Sequence, residues 1–115
     1  MHDNNDITAI LSGLVVDLRR GTMTLAVLSS LSQAKYGYSL LQDMEDRGIH
    51  IEANTLYPLL RRLEAQGLLE SQWDTGESRP RKYYTLSVRG EILLIQLRDE
   101  WRHMVAEMEA FLGNL

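Results

Sequence analysis

Three observations predict a mainly α domain with one small β-hairpin (α+β). Four segments before Gly67 place apolar residues at helical spacing. The period then changes to the alternation of strands around a turn-rich loop. From Ser87 onward, apolar residues recur as a heptad to the end of the chain.

The first helix is expected over about residues 6–19. Asn5 or Asp6 supplies a cap, and Ile7, Leu11, Leu14, Val15 and Leu18 form one stripe at offsets 0, 4, 7, 8 and 11. Arg19 and Arg20 suit the negative end of its dipole, and Gly21 reads as a stop. A second helix, about Thr22 to Leu31, is apolar on most sides and therefore belongs in a core. A third runs from about Tyr38 to Arg47 and closes at Gly48. A fourth starts near Asn54 or Thr55, holds Pro58 in its first turn, and ends at Gly67. Leu68 to Trp73 and Lys82 to Leu86 then read as two strands, with Thr75 to Arg81 as the loop between them. Ser87 caps the final helix.

With 115 residues, no internal repeat and no linker composition, the chain is one domain with one core. It has no cysteine, so disulfides, thiolate metal sites and thiol nucleophiles are excluded. The polar, acidic start is unlike a signal peptide, and no apolar run reaches bilayer length, so a soluble, cytoplasmic chain without a membrane partner is expected. Net charge is −4, but it is unevenly placed. Residues 35–89 carry eight basic and eight acidic side chains, whereas the two ends carry four and eight. A local basic surface is compatible with the acidic total.

Helices followed by a hairpin with a basic tip give the order of a winged helix-turn-helix. In its fourth helix Leu56, Leu59, Leu60 and Leu63 share one face, while Asn54, Tyr57, Pro58, Arg61, Arg62 and Ala65 fall on the other. A recognition helix presents early polar residues to base edges and arginines to guanine or phosphate in this way. Arg79, Arg81 and Lys82 at the wing would position the protein on the DNA backbone. Taken singly, each cluster also reads as an ordinary solvated face, and Glu64 is a candidate partner for Arg61 or Arg62. An arrangement of both clusters on one surface favours double-stranded DNA over a protein-contact adaptor, the competing reading.

In the last helix Leu94, Leu97, Trp101, Met104, Met108, Phe111 and Leu115 are spaced 3, 4, 3, 4, 3, 4. So long a seam needs a partner helix. Either the N-terminal helix of the same chain or a second copy supplies it, and a homodimer in which both helices meet satisfies both readings. The expected division is about residues 20–86 for the winged unit and about 87–115, packed with 6–19, for dimerisation. Two-fold symmetry would suit a palindromic site.

Tyr36-Gly37-Tyr38, Thr55-Leu56-Tyr57-Pro58, Arg62-Leu63-Glu64, Gly67-Leu68-Leu69 and Arg81-Lys82-Tyr83-Tyr84-Thr85-Leu86 resemble the PadR-like transcriptional regulators, over about residues 20–112. The short end resembles the subfamily with one C-terminal helix. This resemblance implies a bacterial homodimeric repressor released from DNA by an effector. It also implies DNA contacts at Tyr38, Thr55, Tyr57 and the basic wing residues. Some members bind planar, often cationic compounds at the dimer interface. Trp101 in the seam, with Met104 beside it and Asp99 and Glu100 nearby, would suit such an effector through stacking and cation–π contact, or Trp101 is simply a bulky interface residue.

An enzyme is not expected. His2, His50 and His103 are far apart, and His50 with Glu52 is an isolated metal-like spacing. Phosphate loops and nucleophile elbows are missing, so neither metal nor cofactor is expected.

Overall fold

The computed structural model describes residues 4–76 and 78–113. His2, Glu77 of the predicted loop and Leu115 of the predicted seam lie outside them. The elements in order are α1 (Asn4–Ser30), β1 (Lys35–Tyr36), α2 (Gly37–Asp46), α3 (Ala53–Ala65), β2 (Leu69–Asp74), β3 (Arg81–Leu86) and α4 (Val88–Leu112).

The two expected N-terminal helices are one. Gly21 does not stop α1, and Asn5 and Asp6 lie inside the helix rather than capping it. A helical glycine costs about 1 kcal/mol relative to alanine. That cost is outweighed because the segment after it is anchored: Val27, Leu28 and Leu31 are completely buried. The chain's exit from α1 is also satisfied, since the Leu31 carbonyl accepts the Leu86 N–H at 2.9 Å.

Helices α2 and α3 end alike. Gly48 (φ +86°) and Gly67 (φ +79°) take the left-handed conformation. Ile49 N–H returns to the Met44 carbonyl at 2.8 Å, and Leu68 N–H to the Leu63 carbonyl at 3.0 Å. This Schellman closure leaves an apolar residue on each side of the turn. Helix α3 begins one residue before the predicted start, so Pro58 is its sixth residue and lies beyond the first turn. Pro58 donates nothing to the carbonyl of Asn54, four residues back, which is left to the exposed end of the helix.

The predicted hairpin gains a third strand. The antiparallel order is β1-β3-β2, with Tyr36 opposite Tyr83, and β2 and β3 pair from Leu69↔Leu86 to Asp74↔Arg81. Arg81 is therefore a strand residue, not a loop residue. Two-residue alternation divides the sheet. Leu69, Ser71, Trp73, Lys82, Tyr84 and Leu86 share the face toward α3, while Gln72, Asp74, Arg81, Tyr83 and Tyr36 share the other.

The core joins the end of α1 to Leu40 and Met44 of α2, the four leucines of α3, and Leu69, Tyr84 and Leu86 of the sheet. Ser87 caps α4 as expected, accepting the Gly90 N–H at 3.0 Å. Leu93, Leu94 and Leu97 in the first half of α4 pack on this core, and no described helix is long and apolar enough to cross a membrane.

Candidate nucleic-acid interface

The period of α3 sorts its side chains. Leu56, Leu59, Leu60 and Leu63 are buried, whereas Asn54, Thr55, Pro58, Arg61 and Arg62 are exposed. Among the described residues, no ion pair engages Arg61 or Arg62. Glu64, expected to neutralise one of them, turns instead to the sheet. It accepts from the Ser71 hydroxyl and from Lys82 Nζ at 3.4 Å. Two guanidinium groups thus remain open on the helix face opposite the core.

Tyr57 differs from its neighbours. It is half-buried against the core, and its ring fills the space beside Gly37. A Cβ built on Gly37 would sit 2.5 Å from Tyr57 Cε1. Tyr57 therefore sets the contact between α2 and α3. Tyr38, second residue of α2, is 73% exposed.

The three wing cations part company. Arg79 is exposed. Arg81 lies with its guanidinium carbon 4.2 Å from the centroid of the Tyr36 ring. Lys82 has only 29% of its side chain exposed. Its ammonium lies between Glu64, the Tyr84 ring at 5.3 Å and the Trp73 ring at 5.9 Å. Lys82 ties the hairpin to α3, a position the alternation of β3 would have revealed, since Lys82 shares the α3-facing side with Tyr84.

Beside the start of α3, His50 is held by two carboxylates. Its Nδ1 lies 2.8 Å from Glu45 Oε2 and its Nε2 2.9 Å from Glu52 Oε1. Glu52 is the N-cap residue of α3, yet its side chain accepts no helix N–H and serves His50 instead. Both ring nitrogens face carboxylates, so the arrangement is that of an imidazolium bridge rather than a metal site. No group of metal-ligating side chains occurs among the described residues. Hydrogen bonds donated to the carboxylates of Glu52 and Glu45 raise the His50 pKa above its ordinary 6.5. A raised folded-state pKa contributes stability that is fully present below the unfolded value and is lost as pH rises through the folded one. His50→Gln is therefore expected to lower the melting temperature below pH 6.5 and to converge on the wild type as pH climbs past the raised pKa. A pH-independent difference between the two melting curves would refute the bridge.

The predicted seam divides in two. Leu94 and Leu97 are half-buried against the chain's own core. Trp101, Met104, Met108 and Phe111 are 40, 54, 52 and 84% exposed. Helix α1 of the same chain does not cover them, and it leaves its own Ile7, Ile10, Leu11, Leu14 and Leu18 more than half exposed.

A helix pair with an open cationic face, followed by a hairpin wing, defines a winged-helix DNA-binding protein. A profile of the transcriptional regulator PadR-like family matches residues 25–96, and the chain belongs to that family. A PadR family transcriptional regulator from Eggerthella lenta is similar in structure, with 45% identity, a TM-score of 0.91, and coverage of 96% of this chain and 98% of that one. A PadR family regulator from Clostridium difficile is 30% identical, with a TM-score of 0.72 over 78% of this chain and 97% of that one. Transcriptional regulator Rv3488 of Mycobacterium tuberculosis is 29% identical over 93 residues, 80% of this chain and 87% of its own length. The chain is thus a transcriptional regulator of a DNA-binding family, a class that is not enzymatic.

Proposed function

We propose that this regulator is a homodimeric repressor of a palindromic operator, released by a small planar effector. The observation that carries the DNA reading is the α3 face, where Asn54, Thr55, Pro58, Arg61 and Arg62 are all exposed and the two arginines have no ionic partner among the described residues. Thr55 and Asn54 read base edges, and Tyr57 contacts DNA beside them. Arg61 and Arg62 take guanine or phosphate, while Tyr38, Arg79 and Arg81 contact the backbone. Lys82 acts from behind, holding the wing to α3. Residues 20–86 form the reading unit, and 87–115 with 6–19 form the dimer through Trp101, Met104, Met108 and Phe111. Leu94 and Leu97 extend that interface from the core side. The effector stacks at Trp101 and Met104, with Asp99 and Glu100 attracting a cationic compound. The protein works in the cytoplasm, where the chromosome is.

The decisive measurement is binding to a labelled duplex from upstream of its own gene at two salt concentrations. Thr55→Ala is expected to narrow the gap between that duplex and random DNA. Arg79→Ala should weaken binding to both and lower the salt slope by about two, one for each protomer of the dimer. An Arg79→Ala protein with altered sequence preference and an intact slope would reverse these roles. Binding no tighter than to random duplex would leave a remote operator or the adaptor reading.

A further inference from the structure

We propose that Tyr36 is the positioning residue that aims the wing and its Arg81 relative to the recognition helix, an inference that rests on the DNA-binding reading above. Strand β1 pairs only with Tyr83 and Tyr84. Beyond Tyr83 the hairpin is a two-stranded ribbon, Trp73↔Lys82 and Asp74↔Arg81, and such ribbons are marginal by themselves and twist readily. The direction of the wing tip therefore needs a contact that extends past the end of β1.

Tyr36 supplies it. Its hydroxyl donates to Asp74 Oδ2 at 2.6 Å, and Asp74 Oδ1 accepts the Gly76 N–H at 3.1 Å. One carboxylate thus bridges the phenol to the turn that opens the wing loop. The same ring lies under the Arg81 guanidinium at 4.2 Å and meets the Tyr83 ring edge-on, 5.8 Å between centroids at 85°. On its other side Tyr36 is the N-cap residue of α2 and directly precedes Gly37, whose backbone rests on the Tyr57 ring of α3. A continuous line of contact therefore runs from the wing turn through Asp74, Tyr36 and Gly37 to Tyr57. Stacking also holds Arg81 in one orientation before DNA arrives, so less side-chain freedom is lost when it meets a phosphate.

Two readouts test this. Amide hydrogen exchange needs no DNA: Tyr36→Phe keeps both ring contacts and removes only the hydrogen bond. It should speed exchange at Gly76 several-fold and leave Leu60 in α3 unchanged. Unchanged exchange at Gly76 in both Tyr36→Phe and Tyr36→Leu would overturn the proposal. The second readout is a double-mutant cycle on the upstream duplex across a salt series. Tyr36→Leu should weaken binding by on the order of tenfold and lower the salt slope as Arg81→Ala does. Adding Tyr36→Leu to Arg81→Ala should bring little further loss. Additive losses, or a lowered melting temperature with the salt slope intact, would make Tyr36 an ordinary packing residue. If the wild-type protein fails to prefer its upstream duplex, an operator there is excluded, and the exchange result still decides whether Tyr36 holds the wing.

Discussion

Gly90→Ala is expected to lower the melting temperature by roughly 4–15 °C, although alanine is the better helix former by about 1 kcal/mol. Gly90 lies in the first turn of α4, where a Cβ would overlap the carbonyl oxygen of Leu68 and come within 3.1 Å of its carbonyl carbon and 3.2 Å of Leu86 Cδ2. The first two obstacles are backbone, so no rotamer change relieves them. That carbonyl also accepts the Ser87 N–H at 3.0 Å, while the Ser87 hydroxyl donates to the Gly67 carbonyl at 2.7 Å. The start of α4 is thus bolted to the turn between α3 and β2. Making room for a methyl group lifts the helix, stretches both Ser87 bonds and loosens Leu93, Leu94 and Leu97 from the core. Overpacking of this kind costs about 1–3 kcal/mol and a lost cap about 1 more, so the net loss after the propensity gain is about 1–3 kcal/mol. For a domain whose whole stability is about 5–15 kcal/mol, that is a large share. Thermal denaturation followed by circular dichroism measures it. A melting temperature within a degree or two of wild type would show that α4 does not depend on this close approach.

What the sequence disclosed and what it hid have physical causes. The leucine face of α3, the Ser87 cap and the Gly48 and Gly67 stops were legible because each depends on neighbours within a few residues. Gly21 misled because a local signal was overridden by burial of Val27, Leu28 and Leu31, which only the tertiary structure supplies. Strand β1 was hidden because two residues carry no measurable period, and it exists only through its pairing with β3. The candidate site was half legible. Arg61, Arg62 and Arg79 lie exposed as their positions implied. Tyr57 and Lys82 were placed by residue type, yet their environments depend on partners distant in sequence, Gly37 for one and Glu64 for the other. Tyr36 was visible only as part of a motif. Its bond to Asp74 spans 38 residues, and no local pattern encodes it.

Met104→Asp is expected to convert the protein to monomers at micromolar concentration while leaving its helix content unchanged. Within one chain Met104 is 54% exposed, so a carboxylate there meets water and the monomer fold tolerates it. In the proposed dimer the same position is desolvated, and two-fold symmetry introduces the charge twice. An unpaired buried carboxylate is far more costly than the methionine it replaces. The opposing force is substantial: Trp101, Met108 and Phe111 of α4 and Ile7, Ile10, Leu11, Leu14 and Leu18 of α1 are all exposed in the single chain. Each such side chain contributes about 1.5–3 kcal/mol when fully buried. Trp101→Ala removes one of these contributions without adding a charge and should weaken association by a smaller factor. Sedimentation velocity at several concentrations separates the cases. Operator affinity should fall together with the dimer, because a monomer engages one half-site at a time. If Met104→Asp stays dimeric, the seam lies elsewhere and the exposed stripe of α1 becomes the place to look. If it becomes monomeric but binds the upstream duplex as tightly as wild type, each reading unit acts alone, and the effector reading at Trp101 loses its interface.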